Sequence, residues 1–102
     1  MGYSIHDKFS ENSLIAFCKQ NNIKKLSIFG SAIKGKLRPD SDIDILVEFQ
    51  ADHTPGLIRL AGIQIELSKI IGREVDLRTP EDLSRYFRDE VVNSAEVQYA
   101  ES

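Results

Sequence analysis

The chain has 102 residues, a net charge of −3, and 41 % hydrophobic and 28 % charged side chains. That length supports one hydrophobic core and not two, so a single domain over residues 1–102 is expected, and the mix excludes global disorder. The acidic balance argues against direct nucleic-acid binding. No run approaches the roughly 20 apolar residues of a membrane span, and the lone Cys18 rules out an internal disulfide and suits a reducing cytoplasm.

Residues 1–9 read as a loose leader. Ser10 is the N-cap of a helix with Leu14, Ile15, Phe17 and Cys18 on its apolar side, and Asn21-Asn22 ends it. Leu26 to Phe29 is a short strand that delivers the chain to Gly30. Ser31 to Lys34 make a short helical turn, and Gly35 to Asp40 form a loop around Pro39. Ile43 to Phe49 is the clearest strand: Ile43, Ile45, Val47 and Phe49 alternate onto one face, leaving Asp42, Asp44 and Leu46 on the other. After a loop from Gln50 to Gly56, a helix repeats Leu60, Ile63, Leu67 and Ile70 every three or four residues, and Gly72 terminates it. Glu74 to Leu77 is a third strand. Thr79-Pro80-Glu81-Asp82 then supplies an N-cap, a first-turn proline and first-turn acids for a last helix with Leu83, Tyr86, Phe87 and Val91 facing inward. Val97-Gln-Tyr99 is a candidate fourth strand at the sheet edge. The order of elements predicts a small α/β layer sandwich.

Ten residues separate Gly30-Ser31 from Asp42-Ile43-Asp44. Four fixed residues at a fixed spacing arise by chance at about one start position in 10⁵. Alternate strand residues point the same way, so Asp42 and Asp44 project together. Two bare carboxylates about 4 Å apart repel by roughly 4 kcal/mol at an effective dielectric of 20. A hard divalent ion removes that penalty. Mg²⁺ suits the pair, because it takes one or two protein carboxylates and completes its shell with phosphate oxygens and water. An isolated Asp-x-Asp would read as a polar turn entering a strand; the upstream Gly-Ser changes that reading.

Gly30 lets the chain turn sharply after a strand and lets phosphate approach the backbone, while Ser31 offers a hydroxyl and the start of a short helix favours anions. Lys34, Lys36 and Arg38 form a local basic patch in the same segment. If two metals are used, a third acid is needed. Asp76 is the best candidate, because it sits between Val75 and Leu77 and points away from the face they serve. Glu48 lies four residues beyond Asp44, roughly 13 Å at strand rise, too far to join. His6 and His53 have no partner acid at recognisable spacing, and Cys18 reads as core.

The segment Gly30-Ser31, ten residues, Asp42-x-Asp44 resembles the signature of the DNA polymerase β-like nucleotidyltransferases. From about Leu14 to Tyr99 the chain resembles their smallest branch, the minimal nucleotidyltransferases (MNT proteins). Further pieces of the likeness are Val47-Glu-Phe49, His53-Thr-Pro-Gly-Leu57 and Gly72-Arg-Glu-Val-Asp-Leu77 with Thr79-Pro80. The resemblance implies a small nucleotidyltransferase fold with a short mixed sheet and helices mainly on one face. It also implies Mg²⁺ held by Asp42 and Asp44, Asp76 as third acid, and phosphate held at Gly30 and Ser31. Many MNT proteins are antitoxins paired with a HEPN-domain toxin, which they are thought to silence by moving AMP from ATP onto a toxin tyrosine.

Size points the same way, since the chain has no residues left for the second domain with which larger nucleotidyltransferases grip their acceptor. The first expectation is therefore an Mg²⁺-dependent protein adenylyltransferase acting as antitoxin on a HEPN toxin. One alternative is an antitoxin that blocks its toxin by contact alone. Another is a nucleotidyltransferase with a small-molecule acceptor, against which the short chain counts.

Overall fold

The computed structural model describes residues 10–30 and 42–101. The expected leader, the helical turn from Ser31 to Lys34 and the loop from Gly35 to Asp40 lie outside them.

Helix α1 spans Glu11–Gln20. Ser10 caps it in extended conformation, its Oγ accepting from the Ser13 N–H at 3.2 Å. Such a cap contributes about 1 kcal/mol by satisfying one of the first-turn donors. Leu14, Phe17 and Cys18 are buried. At the other end the Asn21 side chain donates to the Phe17 carbonyl at 2.9 Å. Asn22 takes φ 57°, a left-handed conformation that asparagine tolerates better than most residues, and this turns the chain straight into β1.

Strand β1 (Ile23–Phe29) begins three residues before the expected start at Leu26, and β2 (Ile43–Phe49) has the expected bounds. They run antiparallel, pairing Ile28 with Ile45 and Phe29 with Asp44. Helix α2 (Leu57–Ile71) ends at Gly72, whose φ of 79° is the left-handed cap a Cβ would disfavour. Strand β3 (Val75–Arg78) lies parallel to β2, and β4 (Glu96–Ala100) antiparallel to β1. The sheet order is β3-β2-β1-β4, so the candidate fourth strand exists and forms one edge.

One core fills the space between the sheet and helices α1 and α2. It is built from Leu14, Phe17 and Cys18, from Ile63, Leu67 and Ile71, and from the inward residues of β1, β2 and β3. Burying each aliphatic side chain is worth about 1.5–3 kcal/mol. The stripe of α2 departs from the expected one in its last turn: Ile71 is buried and Ile70 is 37 % exposed. A step of four from Leu67 keeps the stripe on the sheet, whereas a step of three rotates Ile70 off it.

The C-terminal third departs further from expectation. Thr79-Pro-Glu-Asp82 does start a helix, with the Thr79 N–H donating to Asp82 Oδ2 at 3.1 Å, but it is a single 3-10 turn over Pro80–Asp82. Leu83 is extended at φ −84°, ψ 145°. The chain restarts at Ser84, whose carbonyl accepts from both Phe87 and Arg88, and α3 covers only Arg88–Ser94. Arg88 ties the pieces together, its guanidinium donating to the carbonyls of Pro80 (2.7 Å) and Leu83 (3.3 Å). Tyr86 and Phe87 are therefore not inward but 81 % and 60 % exposed. Among the described residues no helix is long and apolar enough to cross a membrane.

Candidate active site

Core residues Ile43, Ile45 and Val47 turn one face of β2 toward the helices, which leaves Asp44 on the other. Strand β3 repeats the pattern, with Val75 and Leu77 in the core and Asp76 between them. The parallel register pairs Asp44 directly with Asp76. Neighbouring residues in register share a sheet face, so the two carboxylates rise side by side on the face away from α1 and α2.

Gly30 follows β1 at φ +75° and completes the corner. A Cβ placed there would collide with Asp44 Oδ2 and stand 3.3 Å from Asp44 Cγ. The Asp44 carboxylate is thus packed against bare backbone, and a side chain at residue 30 would displace it from this position. Asp42, exposed just before β2 begins, adds its charge to the same corner. Gly30, Asp42, Asp44 and Asp76 are therefore gathered together, while Ser31, Lys34, Lys36 and Arg38 lie outside the described residues. Glu48 stays apart, paired across the sheet with Lys25.

The electrostatics follow from the crowding. Burial pushes the Asp44 carboxyl up from its usual range, and the charge of Asp76 raises it further. Arg78 works against these, Asp42 adds to them, and a side-chain hydrogen bond with Asp76 also favours the protonated form. Such a bond needs one of the two carboxyls to hold a proton. Arg78 donates to Asp76 Oδ2 from Nε at 3.4 Å and from Nη2 at 3.3 Å.

Among the described residues no three acid, histidine or cysteine side chains are drawn close enough to enclose an ion. What is present is an adjacent pair of hard oxygen donors with a third acid nearby. That is the donor set of a cation which keeps much of its shell in water or phosphate, rather than of a closed cage.

Three other residues shape this corner, and none of them belongs to the Gly-Ser/Asp-x-Asp motif. Strand β3 is the second sheet edge, and its outward N–H groups would be unpaired without side-chain help. Ser68 Oγ accepts from the Val75 N–H and Gln64 Oε1 from the Leu77 N–H, each at 3.0 Å. These two residues, one turn apart on α2, flank Asp76 from behind. Arg78 is the third. Its signal in the sequence is its place two residues after Asp76, on the same face; that of Gln64 and Ser68 is a polar pair beside an apolar stripe.

The family model for the nucleotidyltransferase domain matches residues 11–98. A protein of Methanocaldococcus jannaschii, provisionally named a protein adenylyltransferase, is 33 % identical over 85 residues, covering 83 % of this chain and 89 % of its own. Among solved structures, a toxin–antitoxin crystal structure with AMP-PNP superposes with a TM-score of 0.72 at 26 % identity, over 92 % of this chain and 76 % of that one. A structure described as a minimal nucleotidyltransferase gives 0.69 at 28 % identity, over 82 % and 84 %. A complex of a tri-AMPylated Shewanella oneidensis HEPN toxin with its MNT antitoxin gives 0.64 at 26 % identity, over 89 % and 70 %. With a match that runs from the first turn of α1 into β4, the chain belongs to the nucleotidyltransferase domain family and to its minimal branch.

Proposed function

We propose that this nucleotidyltransferase moves AMP from ATP onto a tyrosine hydroxyl of a partner HEPN toxin in the cytoplasm, and that this modification makes it an antitoxin. The observation that carries the reading is the register of Asp44 with Asp76 beneath Gly30, which concentrates negative charge where a metal–triphosphate would sit. A relative named for protein adenylylation and neighbours described as MNT–HEPN complexes support the acceptor class. Leu57 and Ile58 on α2 are 86 % and 92 % exposed, so apolar surface is available to a protein partner.

The donor set fits magnesium, with Asp42 and Asp44 as its holders and Asp76 beside them. Bound there, Mg²⁺ would neutralise charge developing on the transferred phosphoryl group. Gly30 and Ser31 hold the β- and γ-phosphates, since a bare glycine corner lets backbone N–H groups reach them. Asp76 takes the proton as the tyrosine oxygen attacks the α-phosphorus. The new O–P bond forms as the α–β bridging bond breaks, and pyrophosphate leaves.

The test is co-expression with a partner HEPN toxin. Mass spectrometry should find the toxin heavier by one or more adenylate units with the native chain, and unmodified with Asp42→Asn plus Asp44→Asn. Full modification by the double variant would overturn the site assignment. Growth protection without modification would replace this reading with neutralisation by contact alone.

A further inference from the structure

We propose that Arg78 is the resident counter-ion of the aspartate corner and a nucleotide-phosphate ligand, exchanging Asp76 for phosphate when the metal–nucleotide binds. The inference rests on the function proposed above and adds to it a residue outside the metal-binding motif.

Arg78 follows Asp76 by two residues on β3, so both side chains rise from the same face. In register Asp76 stands beside Asp44, and Arg78 beside Leu46, one strand step further along. The guanidinium therefore lies next to the cluster without separating the two carboxylates. It reaches only one oxygen, Asp76 Oδ2, with both contacts long at 3.3 and 3.4 Å. A two-point fork on both carboxylate oxygens would be the strong arrangement. Among the described residues its other N–H groups meet no acceptor. Side-chain exposures of 48 % for Arg78 and 36 % for Asp76 mark a solvated, weak ion pair, easily given up.

Charge balance says what the pair is for. Three aspartates face one described cation, and a divalent cation would offset the same carboxylates more fully. A cation beside Asp76 would weaken that carboxylate's hold on Arg78, which the charge of Asp82 also attracts, just as a triphosphate brings new negative charge to the same face. A planar guanidinium with spare donors suits phosphate oxygens.

The inference predicts opposite movements of two affinities, which a merely structural role would not produce. The full chain is titrated with Mn²⁺ alone, followed by electron paramagnetic resonance, and separately with AMP-PNP in Mg²⁺ by calorimetry. Arg78→Met should tighten Mn²⁺ binding by about 3–10-fold, because a competing cation is gone. It should weaken AMP-PNP by about 10-fold or more, because a charged hydrogen-bond donor is lost. Arg78→Lys should keep the native Mn²⁺ affinity and recover part of the nucleotide affinity. The inference is overturned if Arg78→Met loses Mn²⁺ affinity or binds AMP-PNP as the native chain does. If the native chain takes up no Mn²⁺, or Asp44→Asn leaves its uptake unchanged, the site reading itself fails and this inference with it.

Discussion

Gly30 and Asp44 are in close contact: a Cβ on the glycine would clash with the aspartate's Oδ2 and force the carboxylate to shift. Gly30→Ala thus carries two penalties, a left-handed backbone at φ +75° and displacement of the carboxylate. The backbone part costs about 1–2 kcal/mol. Gly72 separates the two effects, since it has φ +79° but open space where a Cβ would stand. Gly72→Ala should lower stability by about 1 kcal/mol and leave AMP transfer near the native rate. Gly30→Ala should lose a similar stability and about 10²-fold in transfer, because a shift of about 1 Å in a positioned group costs that much. Thermal unfolding and a transfer assay on both variants check this.

Asp44 is expected to trade stability for function. Its carboxyl titrates above the usual range because it is partly buried and crowded by Asp76, with Arg78 only partly compensating. A carboxyl whose folded pKa exceeds its unfolded one contributes stability that is fully present below the unfolded pKa. That contribution is lost as pH rises through the folded pKa. At neutral pH the ionised group is a liability to the metal-free fold. Asp44→Asn should therefore raise the melting temperature at pH 7, with the gain shrinking as the pH is lowered, and reduce AMP transfer by at least about 10²-fold. A melting temperature lowered at pH 7 would contradict the crowding argument.

Strand β2 is legible in the sequence because Ile43, Ile45, Val47 and Phe49 recur at every second position, and this period, broken on the other face only by Leu46, places Asp44 with it and Asp42 just before it. Asp76 is legible as an outward strand residue, but its alignment with Asp44 depends on the parallel register of two strands separated by α2, which no local pattern encodes. The C-terminal third misleads for a chemical reason. Thr79-Pro-Glu-Asp82 carries true helix-start signals, yet they serve a single 3-10 turn, and Ser84 begins a second start five residues later. Arg88, which holds the two pieces together through backbone carbonyls, gives no periodic signal at all.

Cys18 is a core thiol with no measurable nucleophilicity expected in the native state. Complete burial in the cluster with Leu14 and Phe17 pushes its pKa up to about 12, so at pH 8 thiolate is scarce as well as shielded. A thiol reagent such as DTNB should label the unfolded chain promptly and the native chain only as fast as it unfolds. Prompt labelling of native protein would mean the α1–sheet packing opens far more readily than its burial implies.

Gln64 ties the edge strand to the helix behind it, and through that strand it bears on Asp76. Replacing it by leucine removes the acceptor of the Leu77 N–H while keeping bulk against the sheet. An unsatisfied, partly buried donor costs about 1–3 kcal/mol, so Gln64→Leu should lower stability by an amount in that range. Gln64→Glu retains an oxygen at the same reach and should recover most of the loss. Hydrogen exchange gives the local reading: the Leu77 amide should exchange faster in Gln64→Leu, whereas the Val75 amide, held by Ser68, should change less. Because Asp76 lies between those two amides, AMP transfer should fall along with Leu77 protection and return with the glutamate variant. Faster Leu77 exchange with unchanged transfer would show that the strand can loosen at its edge without moving Asp76 away from Asp44.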